Sequence, residues 1–260
     1  ALDETPIPWA RVRIATETGD PVTSTSVEAD GSYRLDLRPG TYLVIAEAFA
    51  YAEAQPVTVD VREDATANVE FRLRLQEDVG FLTGTLADAE TGAPLDGRIS
   101  LAGVPEQFDI VVDRIEGFGR RLPPGWYELS VSRFGHRVLR DSIKVTAGST
   151  IVRDYRLNRS PRLLLVDGDG WAYRQAREYF RASLDRLGYT YHVHVVADEA
   201  VAPGLAGGPP ALETLQQYDI VIWTSSVTGP TFGRGAGPLS AYLAAGGRLL
   251  LSGQDALCTD

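Results

Sequence analysis

Asp167, Gly168, Asp169 and Gly170 follow an apolar run at 163–166, where an open parallel sheet presents ligand-binding groups past the carboxyl end of a strand. Two carboxylates there suit a hard divalent cation such as calcium, which takes oxygen ligands. Asp255 comes shortly after another apolar run at 249–251, whose end is expected beside the first, so Asp167, Asp169 and Asp255 form the candidate metal site. The competing reading, which we prefer, has Asp169 capping the next helix and the glycines making the turn. As a dinucleotide loop the segment fails, because Tyr173 stands where a third glycine is needed. As a phosphoacceptor pocket it fails too, since the third apolar run ends in Trp223, Thr224 and Ser225 and not in aspartate.

The one cysteine, Cys258, lies too far beyond the last strand for a nucleophile elbow, and no G-x-S-x-G occurs. His192 and His194 alternate with valines, which puts both on one face of a strand, but no third ligand stands at a diagnostic spacing. A strand-end structural role is expected for both. Acyl transfer needs a nucleophile within reach of a base and oriented donors for the oxyanion, so no hydrolase activity is expected of this chain. Trp126 and Tyr127 beside Phe134, with Trp9, offer an aromatic platform for sugar stacking. Of these, Trp126 has outward parity and is the candidate carbohydrate contact, whereas Tyr42 and Tyr127 are expected in the core.

Most of the chain that must position these groups is a repeat. Tyr33 matches Phe118, Leu37 matches Leu122, Pro39 and Gly40 match Pro124 and Gly125, Tyr42 matches Tyr127, and Phe49 matches Phe134, all at an offset of 85. Alternating apolar residues at 10–14, 33–37, 57–61 and 69–73, with the run at 41–48, predict half-buried strands in the first copy, with a turn at Asp30 and Gly31. Pro39-Gly40 is expected to form a type II turn. The second copy opens at 80–88, turns at 90–94 and ends near 157. Thr5 already aligns with Gly92, so the first copy is expected to lack its opening strand.

After 158–161 the pattern changes. A continuous apolar run at 163–166 predicts a strand buried on both faces, and 191–196, 218–223 and 248–252 read as the next three strands. Helices are expected at 171–187, stopped by Gly188, and at 239–245, stopped by Gly246 and Gly247. Alternating strands and helices give a three-layer α/β arrangement.

With 260 residues, 44% hydrophobic and 23% charged, the chain is long enough for several cores. The net charge is −10, and 24 of the 25 basic residues are arginine without forming a basic stripe, which argues against nucleic acid as a partner. No apolar run approaches a membrane span. A single cysteine rules out an intrachain disulfide. Methionine is absent even at position 1, so a processed chain or an excised piece is expected.

The opening Gly84, Asp88, Thr91, Gly92, Pro94 and Leu95, the stretch Asp30, Gly31, Ser32 and Tyr33, and the Pro-Gly-x-Tyr stretches followed by Phe49 or Phe134 resemble the carboxypeptidase regulatory-like family, a seven-stranded prealbumin-like sandwich. The resemblance covers residues 5–158; the second copy departs at 115–118, which reads Ile-Glu-Gly-Phe. It implies a stalk or accessory module of the kind carried by secreted enzymes and outer-surface receptors, within a wider superfamily that includes carbohydrate-binding domains. Residues 163–171, 184–189, 218–224 and 242–255 resemble the amidotransferase-like α/β domain of large secreted bacterial subtilisin-like serine peptidases.

The expected fold is mixed. Two tandem prealbumin-like β-sandwiches, at 1–75 and 76–160, precede a three-layer, flavodoxin- or amidotransferase-like α/β domain at 161–260 that is C-terminally truncated. The expected function is a non-catalytic accessory or stalk region of a secreted or cell-surface bacterial multidomain protein, in particular a subtilisin-like serine protease. Its partners would be other domains of the same polypeptide, and a polysaccharide or protein surface. The rivals are carbohydrate binding through Trp126, and a hydrolase or transferase acting at Asp167 and 252–255. No cofactor is expected unless the acidic site holds a hard divalent cation, calcium or magnesium, with calcium preferred.

Overall fold

The structure is a computed structural model that describes residues 5–168, 175–196, 208–225 and 231–253. The N-terminal unit contains β1 (Arg11–Thr16), β2 (Pro21–Ser26), β3 (Gly40–Glu47) and β4 (Val57–Val61) in one antiparallel sheet of order β2-β1-β3-β4. Val12 and Ile14 pair with Ala46 and Val44, and Val12, Ile14 and Val44 are the buried centre of its core. The expected turn at Gly31 is present. Its φ of 87° suits glycine, and the Asp30 carboxylate accepts the Ser32 N–H at 2.9 Å.

The middle unit is built from β5 (Gly80–Gly84), β6 (Leu86–Asp88), β7 (Gly97–Leu101), β8 (Ile110–Val112), β9 (Phe118–Leu122), β10 (Gly125–Ser132), β11 (Leu139–Val145), β12 (Thr150–Val152) and β13 (Tyr155–Leu157). One sheet has the order β11-β10-β7-β8, and opposite it lie the sheets β12-β5-β9 and β13-β6. Between them the alternating inward residues of both layers, Leu82, Ile99, Leu122 and Leu129 among them, form a single buried cluster, the arrangement of a β-sandwich. Its four-stranded sheet repeats that of the N-terminal unit in order and register. Ile99 faces Val131 as Val12 faces Ala46, and Leu101 faces Leu129 as Ile14 faces Val44.

Two local expectations fail. Pro39-Gly40 and Pro124-Gly125 do not make type II turns, because Gly125 has no positive φ and the 158° of Gly40 is far from the roughly +80° that turn requires. Both pairs instead lead into strands, β3 and β10. Residues 33–37 and 69–73 alternate half-buried and exposed side chains as expected, yet join no sheet.

The C-terminal unit contains β14 (Leu163–Asp167), α1 (Gln175–Arg186), β15 (Tyr191–Val195), α2 (Leu212–Leu215), β16 (Ile220–Ser225), α3 (Thr231–Ala244) and β17 (Arg248–Gly253). Its strands are all parallel, in the order β15-β14-β16-β17. Leu163 and Leu165 face Phe180 and Leu184 of α1. Leu164 and Val166 point the other way, into a cluster with Leu215 of α2 and Leu239 and Tyr242 of α3. Because both faces are covered, β14 is apolar at every position before Asp167. Helix α3 starts earlier than the apolar spacing implied and contains Pro238, so the proline lies inside the helix and not at its first turn.

Candidate functional site

Each sandwich-type sheet ends with a phenylalanine that leaves its own core and packs on the next unit. Phe49 lies just beyond β3, and its ring meets Phe108 and Tyr127 of the middle unit edge-on at 4.8 and 6.3 Å. Trp9 completes this joint, meeting Phe108 edge-on at 5.3 Å and donating its indole N–H to the Phe49 carbonyl at 3.3 Å. Phe134 occupies the matching position beyond β10. It stacks on His192 of β15 with centroids 4.0 Å apart and planes within 6°, and meets Tyr218 edge-on at 5.9 Å. His192 Nδ1 and the Tyr218 hydroxyl share a hydrogen bond of 2.9 Å, and burial pushes the Tyr218 hydroxyl pKa up.

The second joint is tied along its backbone as well. Val138 N–H donates to the Gly188 carbonyl at 2.8 Å. The Thr190 hydroxyl accepts from Gly135 N–H at 3.2 Å and donates to the His136 carbonyl at 3.1 Å. The Arg137 guanidinium lies 3.6 Å from the centroid of the Tyr189 ring and also donates to the Leu187 carbonyl. Arg162 closes the lower rim with a 2.8 Å bridge to Asp219, whose pKa it lowers.

Behind this joint sits a buried charge cluster whose residues the sequence motifs contain but do not connect. Asp88 ends β6 and is 2% exposed. One of its oxygens accepts from Glu90 N–H, Thr91 N–H and the Thr91 hydroxyl at 2.8–3.0 Å. The other accepts from Arg159 Nε at 2.7 Å and lies 3.2 Å from His136 Nε2. The Arg159 hydrogen bond, with those from Thr91, holds the carboxyl well below the usual carboxylate range. His136 and Arg159 form an isolated bridge, and Tyr51 and Leu75 form its counterpart in the N-terminal unit. The same station is thus apolar there and charged where the chain crosses to the parallel sheet.

The sequence-derived candidates scatter. Trp126 is 73% exposed on β10, with the Lys144 ammonium 5.9 Å from its ring centroid. Tyr127 is buried, and its hydroxyl donates to the Pro123 carbonyl at 2.9 Å. Tyr42 makes the same bond to Arg38 at 3.1 Å but is less buried. Trp9, Tyr127 and Phe134 therefore form no shared platform with Trp126; they belong to two joints and a core. Asp167 is buried at the carboxyl end of β14, where Arg177 Nη1 reaches its carboxylate at 2.8 Å. That guanidinium brings positive charge to the described part of the site. Asp169, Asp255 and Cys258 lie outside the described residues. Among the described residues no three His, Cys, Asp or Glu side chains cluster as a metal site, and no helix is long and apolar enough to cross a membrane. His194 Nε2 is 2.8 Å from the Gly208 carbonyl, so the two histidines of β15 serve separate structural contacts.

Residues 1–74 match the carboxypeptidase regulatory-like domain. Over 173 residues the chain is 25% identical to Bacillopeptidase F of Bacillus subtilis (strain 168), an overlap that covers 61% of this chain and only 12% of that protein. Solved structures similar to it include the shaft pilin spaA from Lactobacillus rhamnosus GG, at 15% identity and a TM-score of 0.31 over 60% of this chain and 86% of that one. The Bacillus anthracis TIE protein is similar at 16% identity and a TM-score of 0.28 over 60% of this chain and 31% of that one.

Proposed function

We propose that this chain is a non-catalytic accessory or stalk region of a larger secreted or surface bacterial protein, a subtilisin-like serine peptidase in particular. In this reading two regulatory-like sandwiches in tandem carry an amidotransferase-like α/β domain. The observation that carries the proposal is the reuse of one repeat position, Phe49 and then Phe134, to dock each sandwich sheet on the unit that follows. A chain whose repeated units exist to hold the next unit in place would keep that anchor. The regulatory-like match at 1–74 and the partial likeness to a bacillopeptidase support the same setting.

Two experiments test it. Reading the coding sequence on both sides should reveal a serine peptidase domain with its Asp, His and Ser motifs; its absence would remove the protease parent. The purified chain should turn over no peptide, ester or amide substrate, and turnover that disappears in Asp167→Asn or Cys258→Ala would overturn the accessory reading.

A second reading rests on Trp126, a large aromatic left 73% exposed at the start of β10. A carbohydrate site there predicts retardation on polysaccharide gels that Trp126→Ala abolishes.

A further inference from the structure

In the middle unit β5 runs between β9 and β12, and its Leu82 is completely buried. The N-terminal unit has both flanking pieces without a strand between them among the described residues. Residues 33–37 match β9 at an offset of 85, and Glu70, Phe71, Arg72 and Leu73 match Asp154, Tyr155, Arg156 and Leu157 at an offset of 84, which puts 67–71 where 151–155 lies in the middle unit. Residues 33–37 alternate half-buried and exposed positions, as do 69–71 after the exposed Ala67 and Asn68, and neither piece joins a ladder. A cleft of about 520 Å³ opens between them, bridged by the Tyr33 hydroxyl donating to the Val69 carbonyl at 2.9 Å.

The floor of this cleft includes Ile14 and Val44. Their counterparts in the middle unit are Leu101 and Leu129, which share a buried cluster with Leu82. In the middle unit the two ends of β5 are tightly enclosed. A Cβ on Gly80 would come within 2.6 Å of Val145 and 2.7 Å of the Thr146 carbonyl, and one on Gly84 within 1.7 Å of the Arg153 carbonyl. The residues matching Val145, Thr146 and Arg153 are Val61, Arg62 and Val69, and all three line the cleft.

We infer that this cleft is a strand-acceptor site. Its occupant is an extended peptide segment with one branched aliphatic side chain facing the floor and glycine at each end, the pattern of Gly80, Leu82 and Gly84. The segment adds by β-augmentation, antiparallel to 33–37 and parallel to 67–71, as β5 adds to β9 and β12. Backbone hydrogen bonds supply the attraction, and the apolar floor and narrow ends supply the selectivity.

The test uses the whole chain and a synthetic peptide with the sequence of residues 79–88, followed by amide exchange. A second arm fuses the same ten residues to the N-terminus through a Gly-Ser linker, which raises their effective concentration to about millimolar. Amides at 33–37 and 67–71 should exchange fast in the free chain and at least about tenfold more slowly in either arm, since bound ligand suppresses local opening. Peptides carrying Leu82→Asp or Gly84→Val should give no protection. Slow exchange already present in the free chain, protection in neither arm, or equal protection by the substituted peptides would each overturn the assignment. So would a concentration-dependent dimer that protects the same amides and ignores the peptide, because the occupant would then be a second copy of the chain.

Discussion

Replacing Phe134 with alanine should uncouple the C-terminal unit from the middle one while leaving the middle core intact. A phenylalanine carries about 150–250 Å² of surface, and Phe134 is half-buried, against His192, Tyr218 and the cluster around Trp223. Removing about 100 Å² of apolar contact costs about 2.5 kcal/mol at roughly 25 cal/mol per Å². Loss of the stacked and edge-on geometry adds about 1 kcal/mol. The joint should therefore lose about 3.5 kcal/mol, which for a unit of this size lowers its melting temperature by roughly 15 °C or more. In calorimetry the intact chain should melt the two units together, and Phe134→Ala should split off an earlier transition belonging to the parallel sheet. A double-mutant cycle with His192→Ala should return a coupling of about 1 kcal/mol. Val111→Ala, at a 74% exposed position, should change neither transition. If Phe134→Ala costs less than about 0.5 kcal/mol, or lowers both units equally without separating them, Phe134 is not a joint and the stalk argument fails with it.

Gly84→Ala should destabilise the middle unit by about 3 kcal/mol, since the new Cβ would meet the Arg153 backbone carbonyl at 1.7 Å and the strand must move. Gly92→Ala has open space around it and only a φ of 69° to contend with, so it should cost about 1 kcal/mol in the same chemical melt. Asp88 has a depressed folded-state pKa, so its contribution is full above the unfolded carboxylate value of 3.8 and lost as the pH falls below it. Asp88→Asn should accordingly be less stable than the parent at pH 7, with the difference shrinking in urea melts as the pH falls below about 4. A difference that stays constant with pH would show that the carboxylate's charge is not what matters. The Arg177 pairing of Asp167 predicts no change in melting temperature with calcium, and a rise that Asp169→Ala abolishes would establish the metal site instead.

Much of the fold was legible because its signals are local. Strict alternation at 10–14 and 57–61 marks strands with one wet face, and the unbroken apolar run before Asp167 marks a strand covered on both sides. The repeat was legible for the same reason, since equal side chains at equal spacing need no knowledge of contacts. The sequence pattern alone could not say that 33–37 and 69–73 would stay outside a sheet, because a ladder depends on a neighbour supplied by a distant segment. Nor could it separate Phe49 and Phe134 from core residues. Their only local mark is a position just past the last alternating residue of a strand, and what they touch is set by where the next unit lands. Asp88, His136 and Arg159 are far apart in the chain and read individually as a turn, a loop and a solvated arginine. Tertiary packing alone brings them together, and the hydrogen bonds from Arg159 and Thr91 then hold the turn residue as a carboxylate against the cost of its burial. The exposure of Trp126 followed from strand parity. The role of Asp167 did not, because its partner Arg177 is supplied by a helix whose rotation against the sheet is fixed by Phe180 and Leu184 in the core.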